Sequence, residues 1–261
     1  MQVDRIASTA GTTVVVRSIG SGPGIVILHG GGVAERDYHR LAAGLAERFS
    51  VHLYNRRGRA DSRPLDGTET LQTDIDDLAA VLEHTGARSV FGHSGGGFVA
   101  LRAGLRLPLD RIAVYDPGLS IQGRPSFEFF DSFNQAVEQG DYARAMTIMG
   151  RAVSPDDLAA KLPFGVAELF GRAFLHTPVG RRFVDLLPTV PAEVKRIHDH
   201  DGPASDYAEI TADVLLAAGS RSPAYFTQTC QAIADAVPRG RAIVIPRCSH
   251  NAANIARSNF V

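Results

Sequence analysis

Ser89-Val90-Phe91-Gly92-His93-Ser94-Gly95-Gly96-Gly97-Phe98-Val99-Ala100-Leu101 is the stretch on which the fold turns. Arg88–Gly92 reads as a short apolar strand, and Gly95–Leu107 as a helix stopped by Pro108. Between them stands a G-x-S-x-G pentapeptide at a strand-to-helix junction, the setting that this pattern needs. A sharp turn there holds Ser94 in a strained conformation, lifts its hydroxyl above the sheet and turns the Gly95 amide towards the same space. With 26 glycines in 261 residues, a chance match somewhere in the chain has a probability of about 0.15. The junction removes most of that chance, because few positions qualify.

Working outward, the first half alternates between apolar runs and amphipathic stretches. Val3–Ser8 and Thr12–Ile19 read as a hairpin across Thr9-Ala10-Gly11. Gly24–His29 is a doubly apolar strand of the kind buried in a parallel sheet, followed by a helix over Tyr38–Phe49. Val51–Asn55, a helix at Leu71–Thr85 and a sixth strand at Arg111–Tyr115 continue the rhythm. It then breaks. From Leu119 to Tyr207 there are helical patterns punctuated by prolines, Pro155 among them, and most of the phenylalanines. A strand at Asp213–Ala218, a helix near Ala224–Val237, a strand at Arg241–Ile245 and a short terminal helix close the chain. The expectation is an α/β fold: a mostly parallel central sheet flanked by helices, from residues 1–118 and 208–261, with a helical cap, 119–207, inserted after the sixth strand.

Composition bounds the function. Apolar residues at 44% and charged ones at 21% describe a globular chain large enough to need no disulfide or metal staple. A net charge of −1, with basic residues dispersed, argues against nucleic acid, which requires a basic stripe. Two cysteines, Cys230 and Cys248, rule out a disulfide scaffold and a four-cysteine zinc site. The first ten residues carry no signal-like apolar core, and no run approaches the ~18 apolar residues of a membrane span. The expectation is a cytoplasmic protein that acts on a small molecule, with neither a membrane nor nucleic acid as partner. His198-Asp199-His200-Asp201 has metal-like residue types but reads as a solvated loop, so no metal and no cofactor is expected.

A serine attacks only if a base takes its proton, and the base needs a carboxylate to orient it. His250 is singled out by place, on the loop after the last strand, at the sheet edge where Ser94 must lie. His29-Gly30-Gly31-Gly32 follows the strand Gly24–His29, and side-chain-free residues there let backbone amides approach a developing oxyanion. Gly31 and Gly32 are the candidates, with Gly95. His29 is expected to pin this loop by hydrogen bonding. Phe127, Phe130 and Phe133 are candidate substrate contacts, in a segment that could equally pack its own small core.

On His29-Gly30-Gly31, the turn at Gly92–Gly96 and His250, the chain resembles the α/β-hydrolase superfamily, of the small cap-bearing type with a G-H-S-x-G-G nucleophile elbow. Asn55–Ser62 resembles that superfamily's D-x-R-G-x-G-x-S turn, with Asn55 for the usual Asp and Ala60 for the usual Gly. The resemblance implies Ser94 as nucleophile, His250 as base, and Gly31 with Gly95 as oxyanion donors. Many members carry the acid after the seventh strand, but here that loop reads Gly219-Ser220-Arg221-Ser222-Pro223. Asp116 ends the sixth strand, where other members place theirs, and is the candidate acid. The expected activity is that of a serine hydrolase, cleaving a carboxylic ester or lactone with a sizeable apolar part through an acyl-enzyme. A thioester, a C–C bond beside a carbonyl, a cofactor-free lyase, isomerase or cyclase, and a non-catalytic receptor remain open.

Overall fold

The structure is a computed structural model and describes residues 1–154, 158–256 and 260; Pro155 lies outside them. Eight strands form one sheet: β1 (Gln2–Ala7), β2 (Thr13–Ile19), β3 (Gly24–Leu28), β4 (Ser50–Tyr54), β5 (Ser89–His93), β6 (Arg111–Tyr115), β7 (Asp213–Gly219) and β8 (Gly240–Ile245). Their order is β1-β2-β4-β3-β5-β6-β7-β8. The β1–β2 hairpin and the β2–β4 pair are antiparallel, and every pairing from β4 onward to β8 is parallel.

The two-residue period of the strands divides the core. In β3, Val26 and Leu28 point into a cluster with Leu78, Phe98 and Val114, whereas Ile27 points into another with Tyr38, Leu41 and Leu53. The sheet is thus covered on both faces, as a doubly apolar parallel strand requires. The covering helices are α1 (His39–Leu45), α2 (Leu71–Thr85) and α3 (Gly95–Gly104), with two more after the helical segment described below. Local signals set their ends. The Thr70 hydroxyl caps α2 by accepting from the Thr73 amide at 3.3 Å, and Gly86 ends it at φ 67°. The helix expected over Tyr38–Phe49 is shorter, because the chain turns after Leu45 to enter β4 at Ser50.

Between β6 and β7 the described chain is helical: α4 (Phe130–Glu138), α5 (Tyr142–Val153), α6 (Leu158–Lys161), α7 (Phe164–Leu175), α8 (Pro178–Leu186) and α9 (Val190–His198). This segment has its own core around Phe133, Ala136, Ala145, Leu187 and Val190. α7 stands apart, since it buries none of its residues and leaves Leu169 and Phe170 exposed. The chain returns to the sheet through β7, α10 (Ala224–Ala236), β8 and α11 (Ala252–Ile255). Among the described residues, no helix is long and apolar enough to cross a membrane.

Candidate active site

Ser94 occupies the turn between β5 and α3 at φ 51°, ψ −123°, a conformation costly for any residue with a side chain. Its neighbours hold it there. The Ser94 amide donates to the Tyr115 carbonyl at 3.1 Å, and its own carbonyl accepts from Gly97 at 2.8 Å and Gly118 at 2.9 Å. The flanking glycines are required by close approach. A Cβ at Gly92 would lie 2.5 Å from the Gly96 carbonyl oxygen, and one at Gly96 would lie 2.6 Å from that of His29. Packing α3 this tightly against β5 and β3 aims the helix N-terminus at the carboxyl edge of the sheet.

Asp116 follows β6 at φ 41° and is fully buried. Its carboxylate is held from three sides. Oδ1 accepts from the Gly219 amide at 3.0 Å, while Oδ2 accepts from the Ser222 hydroxyl at 2.5 Å and from His250 Nδ1 at 3.2 Å. The 219–223 loop therefore supplies donors to a carboxylate that arrives from the adjacent strand. Because a carboxylate only accepts, His250 Nδ1 carries the proton and Nε2 presents a lone pair. The imidazole of His250 stacks on Phe226, with ring centroids 4.8 Å apart and planes 13° apart.

The loop that carries His250 is fixed from below by Tyr115 and His93. Tyr115 donates to the Ser249 carbonyl at 2.7 Å, and His93 Nε2 donates to the His250 carbonyl at 2.8 Å. His93 Nδ1 is then the acceptor for the Tyr38 hydroxyl at 2.6 Å, which itself accepts from the Gly30 amide at 3.0 Å. One chain of hydrogen bonds thus links the glycine loop to the histidine loop. Burial, with the neighbouring His250 ring as the second cause, holds His93 well below the ordinary histidine range, so it stays neutral. The available signal was a histidine inside an otherwise apolar strand end.

His29 plays the pinning part expected of it. Nδ1 donates to the Gly30 carbonyl at 2.9 Å, and Nε2 accepts from the Arg56 amide at 3.0 Å. Burial, then Arg59 and Arg56, push its pKa well down. The Asn55–Ser62 turn is intact despite its substitutions. Asn55 donates to Asp61 at 2.8 Å and accepts from the Glu35 amide at 3.0 Å, and Ala60 adopts the positive φ, 44°, that a glycine would take more easily.

Gly31 and Gly95 face one another: a Cβ at Gly95 would lie 3.7 Å from the Gly31 amide nitrogen. Gly32 is buried instead under Phe183, whose ring would lie 3.0 Å from a Cβ there. Gly31, Ser94, Gly95 and His250 all line one cavity of about 320 Å³ between the sheet edge and the helical segment. The structure brings Ser94 and His250 to this cavity without a hydrogen bond between them.

Its far wall is apolar, from Phe127, Phe129, Phe183, Val190, Val194 and Ile197. Of the three phenylalanines expected to touch substrate, only Phe127 lines it. Phe130 and Phe133 turn into the core of the helical segment, because the phase of α4 directs its apolar stripe towards α5 and α9 rather than across the cavity. The sequence reading missed Phe129 and Phe183.

Comparison with known proteins agrees with this architecture. The chain is 38% identical over 95 residues to a pimeloyl-[acyl-carrier protein] methyl ester esterase of Shewanella woodyi, an alignment of 36% of this chain and 34% of that protein. The match therefore spans about a third of that relative's length. An alpha/beta hydrolase from Sphaerobacter thermophilus superposes with a TM-score of 0.81 at 27% identity, covering 97% of this chain and 96% of the other. The enol-lactonase from Burkholderia xenovorans shares the fold, with a TM-score of 0.66 at 19% identity over 98% and 95% of the two chains. Residues 25–259 match the sequence profile of the Alpha/beta hydrolase family, and the chain belongs to that family.

Proposed function

We propose that this hydrolase cleaves a carboxylic ester or lactone with an apolar moiety through an acyl-enzyme formed on Ser94. In this reading the helices between β6 and β7 form a cap, 119–207, over a core of 1–118 and 208–261. The hydrogen bond from His250 Nδ1 to the buried Asp116 carboxylate carries the proposal, because it leaves Nε2 free to take a proton in the cavity that Ser94 lines.

Ser94 Oγ attacks the substrate carbonyl carbon as its proton passes to His250 Nε2. The carbonyl oxygen becomes an oxyanion, held by the amides of Gly31 and Gly95. The tetrahedral intermediate collapses, the C–O bond to the alcohol breaks, and His250 returns the proton to the departing oxygen. Water, deprotonated by the same nitrogen, then attacks the acyl-enzyme and releases the acid and free Ser94. Asp116 stabilises the imidazolium at both stages, and the Gly219 and Ser222 donors keep that carboxylate aligned. Phe127, Phe129 and Phe183 supply the apolar surface for the substrate tail. The esterase and lactonase names among the similar proteins support ester chemistry over a silent receptor.

A fluorophosphonate probe tests this directly. The wild type should be labelled at Ser94 and should release 4-nitrophenol from its butanoate ester, with product mass showing the gain of water. Ser94→Ala should abolish labelling and lower turnover by about 10⁴–10⁶-fold. Labelling at another serine, or labelling that survives the substitution, would overturn the assignment.

A further inference from the structure

The sheet ends differently on its two sides. One edge strand, β1, carries Asp4 and Arg5 in mid-strand, charges of the kind that discourage pairing with another chain. The other, β8, reads Gly240-Arg241-Ala242-Ile243-Val244-Ile245 and carries one charge. Half of its backbone groups are engaged. The Val214 amide donates to the Arg239 carbonyl and the Ser220 amide to the Ile245 carbonyl, both at 3.0 Å, and the register between them is unbroken. Arg241, Ile243 and Ile245 therefore direct N–H and C=O to β7, while Ala242 and Val244 direct theirs outward. Ile243 and Val244, on opposite faces of the strand, are 43% and 48% exposed, so neither face of this edge is covered.

The helix beside this edge has the same character. α10 packs on both β7 and β8, and its Phe226, Cys230 and Ile233 share a core with Ala242. Its solvent side, with Ala224, Thr227, Gln228 and Gln231, is uncharged, and Asp235 is the one charged residue among its 13. α2, which covers the same face of the sheet, carries Asp74, Asp76, Asp77 and Glu83. Depletion of charge is what distinguishes the middle of a protein interface from the remaining surface.

We propose that two copies of this chain associate edge to edge through β8, with α10 of one copy against α10 of the other. Two-fold symmetry makes the paired strands antiparallel. The register follows from the outward groups. Centred on Ile243, it sets Ala242 of each copy opposite Val244 of the other, and each such pair exchanges both of its hydrogen bonds, so none of these groups is left over. Centred on Ala242, it would set Val244 opposite Gly240, whose amide already donates to the Val237 carbonyl at 3.0 Å. Centred on Val244, it would set Ala242 opposite Pro246, which has no N–H. In the favoured register Arg241 faces Ile245, and the two Arg241 residues stand about 14 Å apart along the strands, beyond the ~8 Å screening length of physiological salt. Because α10 lies across β7 and β8, the two α10 helices stand two strand spacings apart, about 9.6 Å, the distance at which helices pack. This association does not depend on the hydrolase chemistry.

Sedimentation velocity of the wild type between about 1 and 300 µM should show a reversible monomer–dimer equilibrium and nothing larger, since pairing leaves no free β8 edge. Ile243→Cys should form a disulfide-linked dimer under mild oxidation. Directly opposed residues of a pair without hydrogen bonds have Cα atoms about 4.5 Å apart, within the ~4.4–6.8 Å that a disulfide spans. Arg241→Cys should not cross-link, and neither should the wild type, whose Cys230 and Cys248 are buried. Val244→Pro removes an N–H that the ladder within the chain does not use, so the monomer should fold by circular dichroism while association weakens by at least about tenfold. Ile243→Asp sets two like charges at the axis, should weaken association equally, and covers a failure of the proline variant to fold.

A single monomeric species over the whole range would overturn the proposal. So would a dimer in which Arg241→Cys cross-links as readily as Ile243→Cys, which would mean another register or random collision. A dimer that both Val244→Pro and Ile243→Asp leave intact would place the interface elsewhere, on α7 or another surface, and would overturn it too.

Discussion

The carboxyl edge of the sheet and the helical segment facing it are built to different tolerances. At the edge, polar groups lock one another: Gly219 and Ser222 hold Asp116, Asp116 holds His250, and the Tyr38–His93 chain ties the Gly30 loop to the His250 backbone. Across the cavity, contacts are mainly apolar, and α7 buries none of its 12 residues. Bond making needs reacting atoms fixed to tenths of an ångström, whereas an apolar tail is bound by area that many packings can supply. Glu193 crosses the divide. It sits on α9, yet Arg59 holds it as firmly as any group on the edge.

The sharpest way to break this contrast is to change one atom of the rigid side. Asp116→Asn keeps the shape, and its amide oxygen can still accept from Gly219. The NH₂ then faces two donors, the Ser222 hydroxyl and His250 Nδ1–H, so the imidazole is pushed to the wrong tautomer. We expect kcat to fall by about 10³–10⁴-fold with folding retained. Asp235→Asn on α10, exposed and bonded only to Gln231, should be silent. Loss of less than tenfold in Asp116→Asn would place the acid elsewhere.

That aspartate also marks how far the sequence could be read. The strand–helix rhythm and the Gly92–Gly96 turn are local patterns, so β3 to β6 and the Ser94 junction were legible from spacing alone. Asp116 was picked out because it ends a strand at the place where other members of the resembled superfamily carry an acid. Its partners were not: Ser222 lies 106 residues away, in a loop that looked deficient because it holds no carboxylate. Glu193 and Arg59 are 134 residues apart, and nothing local in a charged helix marks one glutamate as buried. The phase error at Phe130 and Phe133 has another origin. An apolar stripe shows that a helix buries one face, but not whether that face meets its own segment or a cavity.

The two phenylalanines sharpen the comparison on the soft side. Phe133, 0% exposed among α5 and α9 residues, should cost about 3–5 kcal/mol of stability as Phe133→Ala, read by urea denaturation. Phe127→Ala should instead lower kcat/KM for long acyl chains relative to acetate by about 5- to 150-fold, the worth of ~1–3 kcal/mol of apolar contact. Exchange of these two phenotypes would refute the placement of α4.

Proton linkage probes the rigid side without mutation. His29 and His93 are buried and neutral, with folded-state pKa values well below 6.5. In the unfolded chain both titrate near ~6.5, so below that pH the unfolded state binds protons that the folded state refuses. Stability is therefore full above pH 7 and is lost as pH falls, by about 1.4 kcal/mol per unit for each histidine, or roughly 3–4 kcal/mol between pH 7 and 5. His93→Gln should halve that slope in urea titrations. A flat profile across this range would show that both rings are protonated in the fold, and half the expected slope that one of them is.

The smallest effect is expected where the molecule looks most anomalous. Phe170 on α7 is 64% exposed, beside Leu169 at 67%, so the helix presents apolar surface to solvent. This surface contributes little to the folded state of the single chain. Removing an exposed ring forfeits few contacts and leaves no cavity, and helix propensity changes by only a few tenths of a kcal/mol between Phe and Ser. Phe170→Ser should therefore shift stability by less than about 0.5 kcal/mol in dilute solution, and the ester preferences set by Phe127 should not move. A loss above ~1 kcal/mol that grows with protein concentration would show that α7 is covered by a second copy. The same loss at every concentration would mean that the helix packs within its own chain more tightly than its exposure implies, and the soft side of the cavity would be stiffer than its apolar contacts suggest.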